Sequence, residues 1–163
     1  MAVRALVVSD THLRAGARLP IGLARAAEDV DVILHAGDVL VEGVFEQFRA
    51  FAPVHAVLGN NDHDFVGELP ERLEVELGGV SVALVHDSGA APGRAYRLHR
   101  WFPAANLVIF GHSHQPLDET GSDGQRLFNP GSPTERRRAP RHTYGVIEFD
   151  AGAVLSSRIV PLD

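Results

Sequence analysis

Residues 3–12 read VRALVVSDTH, an apolar run of strand length that ends in a serine, an aspartate and a histidine. A short apolar run bounded by polar turn residues is typical of a buried β-strand. Four later apolar runs also end in glycine, aspartate, asparagine or histidine. Because strands of an open α/β sheet point their carboxyl ends at one crevice, we expect these polar residues to converge there. They are Asp10 and His12, Gly37-Asp38, Gly59-Asn60, His86, and Gly111-His112 with His114.

The remaining hydrophobic pattern predicts alternating strands and helices first, and hairpins later. Strands are predicted over residues 3–9, 32–36, 54–58, 73–77, 80–86, 107–110, 126–128, 144–150 and 154–160. Apolar residues at helical spacing predict helices over residues 19–29, 44–51 and 93–102. This order is typical of the α/β class, and it predicts an α/β sandwich of two mixed β-sheets flanked by helices.

Length and composition limit the possible functions. The 163 residues contain no repeat or linker, so residues 1–163 are predicted to form one domain. The net charge of −6 argues against broad binding to nucleic acid, which needs a basic face. The absence of cysteine excludes disulfides, thiolate metal sites and a cysteine nucleophile.

The same features predict a cytoplasmic protein. A chain without cysteine suits a reducing compartment, and the start of the sequence lacks the pattern of a secretory signal. The longest apolar runs, such as residues 107–110, are far too short to span a bilayer, so no membrane association is expected. The sequence leaves self-association open.

The polar residues after the strands have the chemistry of metal ligands. Carboxylate, imidazole and amide groups without sulfur suit Mn, Fe, Ni or Zn better than Ca or Mg, and Mn is the first choice. The set is too large for one ion, but two ions bridged by Asp38 could share it. Two divalent ions would outweigh Asp10, Asp38 and a bridging hydroxide by about one charge, which favours an anionic phosphate. The predicted ligands are Asp10, His12, Asp38, Asn60, His86, His112 and His114.

These blocks resemble the calcineurin-like metallophosphoesterase family, in particular its small single-domain prokaryotic phosphodiesterases. The matching segments are Asp10-Thr11-His12, Gly37-Asp38, Gly59-Asn60-Asn61-Asp62, His86, Gly111-His112-Ser113-His114 and the later Asn129-Pro130-Gly131-Ser132. The resemblance implies hydrolysis of a small phosphodiester by a hydroxide that bridges two ions. It places Asp10, His12, Asp38 and His114 on the first ion, and Asp38, Asn60, His86 and His112 on the second.

Two positions depart from the family pattern. Many members have a histidine after the ligand asparagine, where it can protonate the leaving group, but this chain has Asn61. Asn61 and the neighbouring Asp62 are therefore the candidate catalytic residues beside the ligands, and His63 is a minor candidate for a replacement acid. Asp87 stands where glycine commonly follows the ligand histidine, and it could bind a residue that surrounds the ligands or weaken the positive field.

Other polar residues have two interpretations. Arg136, Arg137 and Arg138 could clamp a substrate phosphate or lie in a solvated loop. His35 is expected to be a hydrogen-bonded core residue rather than a ligand.

The alternatives to a phosphodiesterase are a phosphomonoesterase or nucleotidase of the same fold, and a non-catalytic scaffold that resembles a retromer subunit. The complete ligand set argues against the scaffold, and Asn61 argues against the monoesterase.

Overall fold

A computed structural model describes residues 2–163. It contains two five-stranded mixed sheets and three short helices, as the sequence predicts. The helices are α1 (Ile21–Ala27), α2 (Glu42–Arg49) and α3 (Arg94–Trp101). Two 3₁₀ turns lie at His63–Phe65 and Ser122–Gly124. None of the helices in residues 2–163 is long and apolar enough to cross a membrane.

The first sheet combines a parallel half with an antiparallel hairpin. Its strands are β1 (Val3–Val8), β2 (Val32–His35), β3 (Val54–Ala56), β9 (Thr143–Asp150) and β10 (Ala153–Pro161). They lie in the order β10-β9-β1-β2-β3. Strands β1, β2 and β3 are parallel, whereas β9 runs antiparallel to both β1 and β10.

The second sheet has a parallel centre and an antiparallel strand at each edge. Its strands are β4 (Arg72–Leu77), β5 (Val80–Val85), β6 (Leu107–Ile109), β7 (Leu117–Thr120) and β8 (Arg126–Asn129). Their order is β4-β5-β6-β8-β7. Strands β5, β6 and β8 are parallel, while β4 pairs with β5 and β7 with β8 in antiparallel fashion.

Alternating side chains on the strands divide the core into three layers. In β1, Ala5 and Val7 face the second sheet, whereas Leu6 and Val8 pack against α1 and α2. On the far side, residues of β5 and β6 pack against Leu98 of α3. The molecule is therefore a four-layer sandwich, with helices outside each sheet and an apolar layer between the sheets.

The observed elements differ from the predicted ones mainly at their ends. Helix α1 begins at Ile21, since Pro20 has a non-helical ψ of 138° and its carbonyl accepts the first helical hydrogen bonds, from Leu23 and Ala24. Strand β7 was not predicted. Its sequence, LDET, carries two acidic residues and has no apolar alternation, so only its pairing with β8 makes it a strand.

Candidate metal centre

The loops that follow five of the parallel strands meet at one end of the sandwich. Asp10, Asp38 and Asn60 follow β1, β2 and β3, and His86 and His112 follow β5 and β6. The two sheets thus contribute to a single cluster, because the carboxyl ends of their parallel strands lie side by side. All seven predicted ligand residues lie in this cluster.

Asp10, His12 and His114 form the first group. The Oδ1 atom of Asp10 lies 3.7 Å from Nε2 of His12 and 3.3 Å from Nε2 of His114. All three atoms are buried, and none has a hydrogen-bond partner in the structure. A buried polar atom without a hydrogen-bond partner is costly, so three that face one another have the chemistry of a cation site.

Asp38, Asn60, His86 and His112 form the adjoining group. Nε2 of His86 lies 3.5 Å from Oδ2 of Asp38 and 3.0 Å from Oδ1 of Asn60. The same Asn60 oxygen lies 3.1 Å from Nδ1 of His112. Asn60 and His112 lie at the periphery, since Asn60 is exposed and the side chain of His112 is 44% exposed.

Both carboxylates lie between the two groups. Oδ2 of Asp38 is 3.2 Å from Nε2 of His12 and 3.5 Å from Nε2 of His86, as expected for the residue predicted to bridge. Asp10 also reaches across, because its Oδ1 lies 3.8 Å from Nε2 of His86. Two groups of three residues therefore have ligand atoms close enough to hold a metal ion, within 4.8 Å of one another. The first is Asp10, His12 and His114, and the second is Asp10, Asp38 and His86. The sharing of Asp10 was not predicted from the sequence.

The cluster requires an unusual backbone. Asp10, Asp38, His112 and His114 have φ angles of 57°, 62°, 71° and 61°, in the left-handed region that non-glycine residues rarely adopt. Such strain persists where the surrounding structure holds it, and it is concentrated at functional sites. At Gly111, a Cβ atom would lie 1.9 Å from Oγ of Ser9 and 2.7 Å from Oδ2 of Asp10, so only glycine fits.

Hydrogen bonds orient the ligand atoms toward the centre. Oδ2 of Asp10 accepts bonds from Ser9 Oγ and from the His112 backbone N–H, which leaves Oδ1 free. Nδ1 of His86 donates to the carbonyl of Ala36, and Nδ1 of His114 donates to the carbonyl of Glu135. Each of these histidines can therefore offer its Nε2 lone pair to a cation. Sequence reasoning missed these carbonyls, since any residue can supply one.

Asn61 and Asp62, the predicted catalytic residues, hold Asp38 and its loop by hydrogen bonds. The backbone N–H and side-chain Nδ2 of Asn61 donate to the two oxygens of Asp38, each at 2.9 Å. Buried Asp62 accepts backbone N–H bonds from Asp38, Leu40 and Gly59, all at 2.8 Å. Asp62 thus joins the loops after β2 and β3.

Charges at the centre are strongly coupled. Burial would raise the pKa of Asp10 and Asp38, but the adjacent imidazoles outweigh it and hold both pKa values well below their usual range. The carboxylates of Asp10 and Asp38 raise the pKa of His12 to about 9. Burial lowers the pKa of His86, yet Asp38 and Asp10 outweigh this and raise it. The carboxylates therefore favour positive charge beside them, which a protonated imidazole or a divalent ion can supply.

His35 lies buried beside the cluster, whereas the run of three arginines is exposed. His35 is fully buried, and its ring nitrogens bond to Oγ1 of Thr11 and the backbone N–H of Gly37, as expected for a core residue. In the arginine run, Arg136 donates to the carbonyl of Ala139 in its own loop, and Arg137 lies 4.0 Å from Glu135. Arg136, Arg137 and Arg138 are exposed, and the substrate clamp stays a prediction.

Two cavities adjoin the cluster. One, of about 330 Å³, is lined by His12, Asn61 and His63, so His63 faces the same space as a predicted ligand. The other, of about 300 Å³, opens beside Asn60 and His86. Asp87 lies at its rim, with Oδ2 3.9 Å from Nε2 of His112.

The donor set fits divalent transition metals. It combines two carboxylates, four imidazoles and one amide without sulfur, and four of these seven residues are buried. Of the five buried side-chain polar atoms in residues 2–163 that lack a hydrogen-bond partner, three are Asp10 Oδ1, His12 Nε2 and His114 Nε2. Binding of a cation would satisfy all three.

Comparisons with known proteins agree with this geometry. A family model, the calcineurin-like phosphoesterase superfamily domain, matches residues 3–152. A probable metallophosphoesterase of Methanothermobacter thermautotrophicus is 36% identical over 135 residues, covering 80% of this chain and 77% of that protein. Among solved structures, a novel archaeal phosphodiesterase gives a TM-score of 0.71 at 21% identity, covering 98% of this chain and 99% of its own. The structure of Vps29 of Entamoeba histolytica complexed with Zn²⁺ gives a TM-score of 0.75 at 20% identity, and the match covers 98% of this chain and 99% of that one. The last two likenesses concern the fold.

Proposed function

The chain belongs to the calcineurin-like phosphoesterase superfamily, and we propose that it is a phosphodiesterase with two divalent transition-metal ions in its centre. One observation carries this proposal: three buried ligand atoms of Asp10, His12 and His114 face one another without a hydrogen-bond partner. The proposed first ion binds to Asp10, His12, Asp38 and His114. The second binds to Asp38, Asn60, His86 and His112, and Mn is preferred over Fe, Ni or Zn.

Two ions supply positive charge and a water of lowered pKa when they are bound. The protein's own contribution is to fix the ligands before the substrate arrives. Asn61 holds both oxygens of Asp38, while Ser9 and the His112 backbone hold one oxygen of Asp10. Such preorganisation is the main way in which proteins stabilise charge that develops in a reaction.

Asn61 is also the reason to prefer a diester as substrate. Its side-chain amide is committed to Asp38 and cannot release a proton at neutral pH, so it gives the leaving group no acid. General-acid help is typically worth ~10²–10⁴-fold, and good leaving groups need it least. A diester also carries one negative charge where a monoester dianion carries nearly two. A centre of small net positive charge therefore suits the diester.

The experiment compares two aryl esters on protein loaded with Mn. We expect a higher kcat/KM for bis(p-nitrophenyl) phosphate than for p-nitrophenyl phosphate. Asn61→His should raise the monoester rate relative to the diester rate, because it restores a proton donor. Asn61→Ala is the matched control, since it loses the same bond to Asp38 without adding an acid. The metal content of each variant is measured in parallel.

A wild-type preference for the monoester would contradict the diester proposal and favour a phosphomonoesterase. Absence of turnover with every ion in a panel of Mn, Fe, Ni and Zn would favour the scaffold instead.

A further inference from the structure

The cavity of about 300 Å³ beside the centre has no role in the chemistry described so far. Asn60 and His86, two of the proposed ligands, form its inner end. Its walls come from the loop after β3, the start of β4, the end of β5 and the end of α3. A group attached to a phosphate at the centre could therefore extend directly into it.

Apolar and aromatic side chains form part of the cavity wall. Trp101, the last residue of α3, lines it together with Leu58 and Val85. The guanidinium carbon of Arg72 lies 4.2 Å from the centre of the Trp101 ring and 5.6 Å from that of Phe102. Stacking of the guanidinium on these rings fixes both Arg72 and Trp101 in place, so the surface is formed before a ligand binds.

The charges at the rim select against a second anion. Arg72 contributes one positive charge, whereas Glu71 and Asp87 contribute two negative charges. A remote phosphate or carboxylate would meet net repulsion there. An uncharged planar group could instead stack on the indole or guanidinium and donate hydrogen bonds to the carboxylates.

We propose that this cavity binds the nucleobase of a nucleotide phosphodiester whose phosphate lies at the metal centre. The assignment rests on the proposed phosphodiesterase function and specifies its substrate class. Nucleobases have a flat ring for aromatic and arginine stacking, together with amino groups that carboxylates accept. The volume is enough for one base with part of its sugar at the open mouth.

The test uses the single tryptophan of the chain as its reporter. Protein loaded with Mn is titrated with adenosine 5′-monophosphate and, separately, with ribose 5-phosphate, which lacks only the base. We expect the nucleotide to bind about tenfold more tightly, within the range for base stacking on aromatic side chains. We also expect it to quench the fluorescence of Trp101, whereas ribose 5-phosphate should leave the emission unchanged.

Variants localise the effect. Trp101→Ala should lower the affinity for the nucleotide to that for ribose 5-phosphate. Calorimetry measures the binding to this variant, because it lacks the fluorescent residue. Arg72→Ala changes an exposed side chain and keeps the fluorophore, so it should reduce both the preference and the quenching even if Trp101→Ala folds poorly. Tyr96→Ala is the matched control, because Tyr96 lies on the same helix, is 67% exposed and does not line this cavity. It should behave as wild type.

Equal affinities for the two compounds in wild type, or a preference that survives both Trp101→Ala and Arg72→Ala, would overturn the nucleobase assignment. Turnover of bis(p-nitrophenyl) phosphate is measured on the same preparation. If that turnover is present while the preference is absent, only the assignment of the cavity fails. If neither compound binds and no diester is cleaved, the phosphodiesterase proposal fails and the cavity assignment falls with it.

Discussion

The left-handed residues of the centre explain why so many glycines border it. Asp10, Asp38, His112 and His114 each hold a positive φ, and such residues cost of order 1 kcal/mol or more apiece. Their loops lie so close to other segments of the same backbone that a Cβ atom on the neighbouring residue would collide with them. Gly59 illustrates this, since a Cβ there would lie 2.1 Å from Oδ1 of Asp38. The sequence predicted these glycines as turn residues, but not that they make room for the ligands.

Gly111→Ala should therefore disrupt the centre. The added methyl group would collide with Ser9 and Asp10, so we expect a loss of about 1–3 kcal/mol in the free energy of unfolding, as in overpacked cores. Metal content should fall with it, because Asp10 must move. Chemical denaturation and elemental analysis of the purified variant measure the two effects.

Gly43→Ala is the control for that substitution. Gly43 lies in α2, and no atom beyond its chain neighbours and the nearby helix backbone lies within 4 Å of the position that the added methyl group would take. Alanine should therefore stabilise the helix by about 0.5–1 kcal/mol. Full metal content in Gly111→Ala would contradict the packing argument.

His35 should make the protein sensitive to acid. Burial lowers its pKa from 6.5 to about 3, while the unfolded chain takes up a proton near pH 6.5. Between these values the unfolded state binds more protons, so stability is complete above about pH 6.5 and falls as the pH decreases. The expected slope is about 1 kcal/mol per pH unit.

The check is urea denaturation of metal-free protein at several pH values from 7 to 4. His35→Gln removes the titrating ring and should show a shallower decline than wild type, whatever its stability at pH 7. His63→Gln, a change of an exposed histidine, should follow the wild-type slope. Parallel curves for wild type and His35→Gln would show that His35 is not the acid-sensitive group.

At the scale of elements, apolar periodicity predicted nearly every strand and all three helices. Each predicted strand has an apolar run because it is buried on at least one face. Strand β7 lacks that signal, since it lies at an edge and its sequence favours no strand. What fixes it is a tertiary contact. Asp118 of β7 accepts hydrogen bonds from Arg126 of β8 and from Ser157 of β10 in the other sheet.

Asp118→Ala should loosen the two sheets at this edge. The aspartate is 18% exposed and bonds to both sheets, so its loss should cost about 1–2 kcal/mol, within the range for hydrogen bonds to a charged group. Glu119→Ala is the neighbouring control, because Glu119 is exposed, and it should change stability by less than about 0.5 kcal/mol. Urea midpoints of the two variants compare them directly, and equal midpoints would argue against a role for Asp118 in joining the sheets.

For the whole molecule, the sequence indicated the two mixed sheets and the residues that meet at their end. It did so because ligand residues must follow strands, and that order survives in the sequence. The free oxygen of Asp10, the carbonyls behind His86 and His114 and the cavity at Trp101 depend on how separate loops pack. Such contacts leave no pattern in one sequence. The cytoplasmic location and the role of the arginine run stay predictions.

The position of the centre predicts that metal stabilises the entire fold. Asp10 and Asp38 follow strands of the first sheet, whereas His86 and His114 follow strands of the second, so an ion bound by both groups joins the two layers. The unfolded chain has no such site. Binding at one hundred times the dissociation constant should therefore add about 2.7 kcal/mol to the free energy of unfolding for each ion.

Thermal denaturation across a Mn titration measures this stabilisation, and the melting temperature should rise with the logarithm of free Mn. Asp38→Asn should abolish most of the rise, because Asp38 lies between both proposed ion positions and loses its charge. Asn60→Ala should remove about half, since Asn60 contacts only the group of His86 and His112. Asp64→Asn, a change of an exposed carboxylate nearby, should respond to Mn as wild type does. If the melting temperature of the wild type did not change with Mn concentration, the proposal that metal joins the two sheets would be wrong. An equal loss in Asp38→Asn and Asn60→Ala would instead show that Asp38 does not bridge.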